Sequence, residues 1–356
     1  MVLAYRGLKR RRRRKPAKPN GAAPAAVAYA PEALVDYPGV VAQAVMAGIR
    51  CDFVRDLPGG PYHYNPGLIL SAEGHLLLAY RDQEERDGPT HGGSQIGICR
   101  LEGDPLAPVS PVTLDLPPCF PVGGVTESRE DPRLFVAGGS RWLSYAAWDR
   151  QGVCGQALAR LAPRFEDVES YASGAAGTWA VEEAVRADYG NNFSSGRWQK
   201  NWAFLHDWPS LRMVYSPDPH EVVDVRLDGS AALVARERGV QWRWGLARGG
   251  TPPVLHNGLY WSFFHSRLQG PSRLRYFMGA YAFGPTPPHR PEVVSVEPIL
   301  AASSHDPQRS HLPLVVFPCG AVMRDGEWWV SLGVNDHSTA IARIPHDWLV
   351  KRVRAC

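Results

Sequence analysis

The chain has 356 residues, of which 44% are apolar and 10% aromatic, with 35 glycines and 32 prolines. This composition excludes a disordered chain and predicts a turn-rich globular protein of one large domain or two ordinary ones. The net charge of +4 is unevenly distributed, because nine Lys and Arg residues lie within residues 1–18 and the remainder holds 30 basic against 35 acidic residues. A body with an acidic excess is a poor nucleic-acid binder.

The basic N-terminal stretch RGLKRRRRRKPAKPNGAAPAA contains no acidic residue. It predicts a disordered extension over residues 1–35 with no catalytic part. A nuclear or polyanion-binding patch and an organelle transit peptide are the alternatives, and any nucleic-acid contact would belong to this tail. No run approaches the roughly 18 apolar residues of a membrane span, so a soluble, cytoplasmic protein is expected. The sequence indicates no oligomeric state.

Five segments along the chain share one pattern. Each is an apolar run, a short turn that usually contains Gly, and a second run rich in aromatic residues and Leu that ends in polar residues. They are GLILSAEGHLLLAYRD (67–82), PRLFVAGGSRWLSYAAWD (132–149), WAFLHDWPSLRMVYSPDPH (202–220), PPVLHNGLYWSFFHSR (252–267) and CGAVMRDGEWWVSLGVND (319–336). Further strand-like runs lie between them, so each unit has about four strands.

Five four-stranded units predict an all-β fold, a five-bladed β-propeller formed by residues 36–356 as a single domain. A β-sandwich or two small β domains are the alternatives. One stretch departs from the pattern: residues 165–198 are expected to form an inserted loop with a short helix, because TWAVEEAVRADYG has helical spacing, with Thr178 as its cap and Gly190 as its stop.

Polar residues recur where the predicted strands end, and the propeller would bring these positions to its central axis. Carboxylates, cations and aromatic rings around one pocket suit a sugar, whose hydroxyls need donors and acceptors and whose apolar face stacks on rings. Asp131 precedes Pro132, which predicts an extended residue at 131. In such a strand Glu130 and Asp131 point to opposite faces, so at most one of them would face the axis.

Neither the six cysteines nor the 12 histidines show the spacings of a metal site, so no metal is predicted. The nucleotide-binding motifs GxxxxGK[ST] and GxGxxG are absent, so no organic cofactor is predicted. The cysteines are expected to be reduced and mostly buried.

Several motifs together resemble glycoside hydrolase family 130, the β-mannoside phosphorylases and related mannosidases. They are NPGLIL with LLLAYR (65–81), EDPRL (130–134), KNW (200–202), GGTPPVLHNGLYWSFFH (249–265), YFMGAYAF (276–283) and VVFPCGAVMRDGEWWVSLGVND (315–336), in the family's order. The resemblance covers residues 60–345 and implies a five-bladed propeller.

The resemblance also implies an inverting reaction on β-mannosides. Asp131 occupies the position of the general acid, which in this family protonates the glycosidic oxygen through a hydroxyl of the mannosyl ring. Inorganic phosphate, as co-substrate, attacks the anomeric carbon and gives mannose 1-phosphate. Lys200 matches the family's phosphate-contacting lysine, and Arg133 and His265 are expected to help it bind phosphate. Asn65, Arg81 and Asp336 lie where the family binds the mannosyl unit, and Asn201 is expected to bind the substrate with them.

Three alternatives stay open at the level of the sequence. A β-mannosyltransferase would use a nucleotide-sugar donor. A β-mannosidase would need a carboxylate base to activate water, for which Glu127, Asp149 and Asp336 are the candidates. A lectin-like propeller would bind a sugar without turnover. For the enzyme, the expected partner is a small-molecule or oligosaccharide substrate.

Overall fold

The computed structural model describes residues 34–37, 49–84, 93–118, 126–149, 154–163, 179–190, 199–270, 273–304 and 312–356. The predicted basic extension, apart from its last two residues, lies outside this part of the chain. In the part that is described, no helix has the length and apolar character of a membrane span.

The strands form five sheets arranged as the blades of a five-bladed propeller. Blade 1 contains β3 (Tyr62–Leu70), β4 (Leu76–Gln83), β5 (Gln95–Glu102) and β6 (Ala107–Thr113). Blade 2 contains β7 (Thr126–Ala137), β8 (Ser140–Asp149), β9 (Cys154–Pro163) and β10 (Trp179–Ala187). Blade 3 contains β11 (Ala203–Phe204), β12 (Leu211–Pro217), β13 (His220–Val225) and β14 (Ala231–Glu237).

Blade 4 is built on β15 (Val254–His256), β16 (Leu259–Gln269) and β17 (Leu274–Phe283). Its sheet is extended by β18 (Pro291–Ser295), β19 (Leu300–Ser304), β1 (Leu34–Tyr37) and β23 (Val353–Ala355). Blade 5 contains β20 (Val316–Arg324), β21 (Glu327–Val334), β22 (Ser338–Pro345) and β2 (Arg50–Val54), and the short helix α1 (His346–Val350) follows β22.

The five predicted hairpins are all present as antiparallel pairs: β3 with β4, β7 with β8, β11 with β12, β15 with β16, and β20 with β21. The ring is closed by β2, which pairs antiparallel with β22 from Arg50 opposite Arg343 to Val54 opposite Thr339. An early strand therefore completes the last blade and links the start of the ring to its end.

The predicted helix in residues 178–190 is wrong. Trp179–Ala187 is the fourth strand of blade 2 and pairs antiparallel with β9, with a bulge between Val181 and Glu183. Before the bulge, Trp179 and Val181 pack on the core between blades 1 and 2; after it, Val185 and Ala187 belong to the core between blades 2 and 3. The extra residue breaks the strict alternation of a strand, which left a spacing that resembled a helix.

Candidate active site

A cavity of about 340 Å³ lies where strand ends of the blades meet. Its volume is at the lower end of the range for small-molecule sites. Blades 1, 2, 4 and 5 and the segment before blade 3 all contribute to its wall. The lining residues are Tyr64, Asn65, Arg81, Gln83, Glu130, Asp131, Trp148, Lys200, Tyr276, Leu312, Pro313, Val315, Phe317 and Asp336.

Two matching bulges place Asn65 and Asp131 in the wall of this cavity. Asn65 and Pro66 together lie opposite one residue of β4, and Asp131 and Pro132 together lie opposite one residue of β8. Both polar residues have left-handed backbone angles, with φ of 51° and 53°. Asn and Asp tolerate this region better than bulkier residues do, which suits the Asn-Pro and Asp-Pro sequences to the bulges.

The bulge corrects the expectation that only one of Glu130 and Asp131 faces the axis. Asp131 is not extended, so the alternation of side chains does not hold across this pair. Lys200 Nζ lies 3.2 Å from Oδ2 of Asp131 and 3.5 Å from Oε2 of Glu130. Both carboxylates therefore lie at the same cavity and share one cation.

Asp131 is held at both carboxylate oxygens. Nδ2 of Asn65 donates a hydrogen bond of 2.7 Å to Oδ1, and Lys200 occupies the Oδ2 side. Only 2% of Asp131 is exposed, which favours the neutral carboxyl. The charges of Lys200, Arg81 and Arg133 outweigh burial and hold the pKa of Asp131 well below its usual range.

Glu130 connects the two cations of the cavity. Its Oε1 lies 2.9 Å from Nη2 of Arg81, and its Oε2 faces Lys200. Arg81 also lies over the ring of Tyr64, with its guanidinium carbon 4.8 Å from the ring centroid. Burial lowers the pKa of Lys200, but Asp131 and Glu130 overcome this and raise it, so the ammonium stays charged.

Arg133, Asn201 and His265 lie behind the cavity wall instead of lining it. Arg133 is fully buried and donates from Nε to the carbonyl oxygen of Gly250 (2.6 Å), from Nη1 to that of Asp131 (2.9 Å) and from Nη2 to Oδ1 of Asn201 (3.2 Å). This geometry favours a supporting role for Arg133 and Asn201. Their predicted contacts with phosphate and sugar stay predictions.

His265 is 2% exposed and lies against two rings, with centroid distances of 4.3 Å to Phe317 and 5.9 Å to Tyr276. Burial, with the nearby charges of Arg133 and Arg248, lowers the pKa of His265 well below its usual value. The imidazole is neutral at physiological pH, so it brings no positive charge to a phosphate group. The predicted role of His265 in phosphate binding stays a prediction, and it would have to rest on a hydrogen bond from the neutral ring.

Asp336 lines the cavity in a left-handed conformation, at φ 48°, two residues after the end of β21. The predicted residues that meet at this cavity are Asn65, Arg81, Asp131, Lys200 and Asp336. The side chains of Glu127 and Asp149, the other predicted candidates for a base, lie outside the described residues. Where side chains are described, no three His, Cys, Asp or Glu residues are placed to hold one metal ion.

Several lining residues were not predicted from the sequence. The aromatic ones are Tyr64, Trp148, Tyr276 and Phe317, and they offer surfaces for the apolar face of a sugar. Glu130 was not predicted as a site residue either, yet it is 2% exposed and lines the cavity. The Pro that follows Asp131 was a signal for the bulge, and the matching Asn65-Pro66 in blade 1 shows that the two positions are equivalent.

The cavity and the ring of blades define a class: a five-bladed propeller with a buried pair of carboxylates and two cations at its centre. No family model matches the sequence, and no curated protein matches it. Among solved structures, the β-1,2-mannobiose phosphorylase from Listeria innocua in complex with β-1,2-mannobiose is similar at 14% identity and a TM-score of 0.55, over 86% of this chain and 93% of that one.

Two further structures have the same fold. One shares 17% identity at a TM-score of 0.56, over 81% of this chain and 86% of that one. It comes from work on the family 130 mannoside phosphorylases, which contain glycoside hydrolases that target β-1,2 mannosidic linkages in Candida mannan. A mannose phosphorylase from Leishmania mexicana in complex with a phosphate ion shares 13% sequence identity at a TM-score of 0.51, over 85% of this chain and 89% of that one. The predicted resemblance is thus confirmed at the level of the fold.

Proposed function

We propose that this protein is a carbohydrate-active enzyme that cleaves β-mannosides by inverting phosphorolysis. The observation that carries the proposal is the position of Asp131. This carboxylate lines a cavity of about 340 Å³, is oriented by Asn65 and lies 3.2 Å from the ammonium of Lys200. An acid beside a cation suits a reaction that needs both a proton donor and an anion site.

In the proposed reaction the bond between the anomeric carbon and the glycosidic oxygen breaks while a phosphate oxygen bonds to the opposite face of that carbon. The proton of Asp131 passes to the glycosidic oxygen through a hydroxyl of the mannosyl ring, and the acceptor leaves as an alcohol. The product is mannose 1-phosphate of inverted configuration. A phosphate nucleophile is already charged, so this route needs no second carboxylate as base.

Asp131 must gain a proton before it can serve as the acid. With Lys200 beside it, the carboxyl is ionised. A phosphate dianion entering the cavity attracts the ammonium and adds negative charge near Asp131, and both effects raise the pKa of this carboxyl. Arrival of the co-substrate thus prepares the acid.

The sugar is proposed to lie between polar and aromatic walls. Arg81 and Asp336 supply a donor and an acceptor for hydroxyls, while Trp148, Tyr276 and Phe317 offer rings for the apolar face. Asn65 orients Asp131 through its amide nitrogen, and its carbonyl oxygen is buried, so the contribution proposed for Asn65 is to hold the acid in place.

Hydrolysis is the second candidate, and the charge of the cavity favours it. Among the described lining residues, the acids Glu130, Asp131 and Asp336 outnumber the cations Arg81 and Lys200. An excess of negative charge disfavours a phosphate dianion and leaves water as a competing nucleophile. Asp336, which lies in the loop after β21, is then the candidate for the base that activates it.

One experiment separates these reactions. The protein is incubated with aryl β-mannosides and β-mannosides of defined linkage, with and without inorganic phosphate, and the sugar products are identified by NMR. Phosphate-dependent formation of α-mannose 1-phosphate supports phosphorolysis, and mannose formed equally in its absence supports hydrolysis. Parallel reactions with mannose 1-phosphate or a nucleotide-mannose and an acceptor test reverse phosphorolysis and transfer. Sugar binding without turnover, unchanged in Asp131→Asn, would identify a lectin-like protein and refute the enzyme.

A further inference from the structure

Glu130 has no part in the reaction proposed above, yet it is placed like a component of the site. It is 2% exposed, lines the cavity and contacts both of its described cations. Nη2 of Arg81 lies 2.9 Å from Oε1, and Nζ of Lys200 lies 3.5 Å from Oε2. Burying a carboxylate is costly unless it is paired. Its pairing here is with the same ammonium that pairs with Asp131.

We propose that Glu130 is a positioning residue that holds Lys200 and Arg81 beside Asp131, so that the ammonium can turn from Asp131 to an entering phosphate without leaving the site. The inference rests on the proposed function, because it gives Lys200 an anionic co-substrate. It goes beyond that function in assigning the second carboxylate of the Glu130-Asp131 pair a separate task.

The three side chains differ in their freedom to move. The side chains of Glu130 and Asp131 are 3% and 2% exposed, whereas that of Lys200 is 31% exposed. Oγ of Ser128 lies 3.4 Å from Oε1 of Glu130 and donates to it, which adds to the hold of Arg81. Asp131 is fixed by its hydrogen bond from Asn65. Lys200 is thus the member of this trio that reaches the open part of the cavity.

Glu130 acts on Asp131 through its charge as well. A neighbouring anion disfavours the ionised form of a carboxyl, and Glu130 competes with Asp131 for the ammonium. Both effects oppose the influence of Lys200 and favour protonation of Asp131 when phosphate is present. The other charged or titratable groups around this pair are Tyr64, Arg81, Arg133, Cys154, His265, Cys319 and Asp336, and Glu130→Gln leaves all of them in place.

The test measures kcat at saturating mannoside and phosphate across pH for the wild type, Glu130→Gln, Glu130→Asp and a control. The control is Glu221→Gln, because Glu221 is a buried carboxylate (5% exposed) that does not line the cavity. Its Oε1 lies 2.6 Å from Nη2 of Arg236. Turnover falls as pH rises through the pKa of the acid in the bound complex. This fall is the alkaline limb of the pH profile. Glu130→Gln should move the alkaline limb to lower pH by about one unit and lower kcat at neutral pH about tenfold.

Glu130→Asp keeps the negative charge, so its alkaline limb should stay at the wild-type position even if the shorter side chain lowers kcat. Glu221→Gln should leave the limb and kcat unchanged. If the limb of Glu130→Gln coincides with that of the wild type while only its thermal stability is lower, Glu130 is a structural residue and the inference is wrong.

A second measurement needs no turnover and separates this inference from the proposed function. The NMR signal of the Asp131 carboxyl carbon is assigned by its disappearance in Asp131→Asn. Its chemical shift is then followed against pH, with and without inorganic phosphate, in the wild type and in Glu130→Gln. Phosphate should raise its pKa in the wild type, and less so in the variant. If the wild type is inactive but phosphate raises the pKa of Asp131 more in it than in Glu130→Gln, the proposed enzyme activity is refuted and the inference about Glu130 stands. If the wild type is active but phosphate shifts the pKa of Asp131 equally in both proteins, the activity stands and the inference is refuted.

Discussion

Asn65 and Asp131 are 66 positions apart in sequence and are joined by a hydrogen bond of 2.7 Å from the amide of one to the carboxylate of the other. Each lies at a bulge in the first strand of its blade, each precedes a proline, and each has a left-handed backbone. The equivalent bulges of blades 1 and 2 therefore direct a donor and an acceptor at one another. The result fixes the orientation of Asp131 and leaves its other oxygen to Lys200.

Asp131→Asn is expected to lower turnover by about 10²- to 10⁴-fold, because the amide cannot donate the proton of a carboxylic acid. The fold should persist, since Asn fits the same left-handed backbone and leaves Lys200 paired with Glu130. Initial rates of mannoside cleavage and thermal unfolding measure the two effects.

The matched control is Asp224→Asn, which removes an aspartate that binds Arg212 through two contacts of 2.7 Å outside the cavity. Its turnover should equal that of the wild type. Activity of Asp131→Asn within tenfold of the wild type would exclude Asp131 as the acid, and loss of activity in Glu130→Gln alone would transfer that role to Glu130.

Lys200→Ala is expected to weaken the use of phosphate. A hydrogen bond to a charged group contributes about 1.5–3 kcal/mol, which corresponds to a loss in kcat/KM for phosphate of about 10- to 100-fold. Without the ammonium, the pKa of Asp131 should also rise, since Lys200 is the leading cation that lowers it. The alkaline limb of the pH profile should therefore move to higher pH.

Phosphate-concentration series at several pH values measure both effects. Lys351→Ala, which changes an exposed lysine just after α1, serves as the control. An unchanged KM for phosphate in Lys200→Ala would show that Lys200 does not bind the co-substrate.

Arg133→Lys is expected to lower stability more than it affects phosphate binding. The guanidinium of Arg133 is fully buried and serves three acceptors, on Gly250, Asp131 and Asn201. A lysine cannot reproduce this planar arrangement, and each buried acceptor left unpaired costs about 1–3 kcal/mol. The free energy of unfolding, measured by urea denaturation, should fall by about 3 kcal/mol.

Arg236→Lys is the comparison, because the side chain of Arg236 is 62% exposed where it pairs with Glu221. It should unfold at the same urea concentration as the wild type. If Arg133→Lys is as stable as the wild type and instead has a raised KM for phosphate, the residue contacts the co-substrate as the family resemblance implied.

The hairpins were predictable because each depends on a short turn and on neighbouring runs of residues. The closing pair of β2 with β22 depends on residues nearly 300 positions apart, and no local pattern indicates it. Bulges explain the errors. One bulge in β10 gave a strand a helical spacing, and another in β7 brought Glu130 and Asp131 to the same cavity when alternation predicted opposite faces.

His220→Phe is expected to reduce the loss of stability in acid. His220 is fully buried, with its ring 5.0 Å from that of Phe283, and burial lowers its pKa to about 3. The unfolded chain binds a proton at this residue below about pH 6.5, whereas the folded chain does not. Stability therefore falls as pH decreases from about 6.5 towards 3, by about 1.4 kcal/mol per pH unit for this one group.

Denaturant unfolding at pH 6, 5 and 4 gives the slope of the free energy of unfolding against pH, which should be smaller by that amount in His220→Phe. At pH 8 the imidazole is neutral in both states, so the two proteins should show the same dependence on pH. Equal slopes between pH 6 and 4 would mean that His220 is protonated in the folded protein.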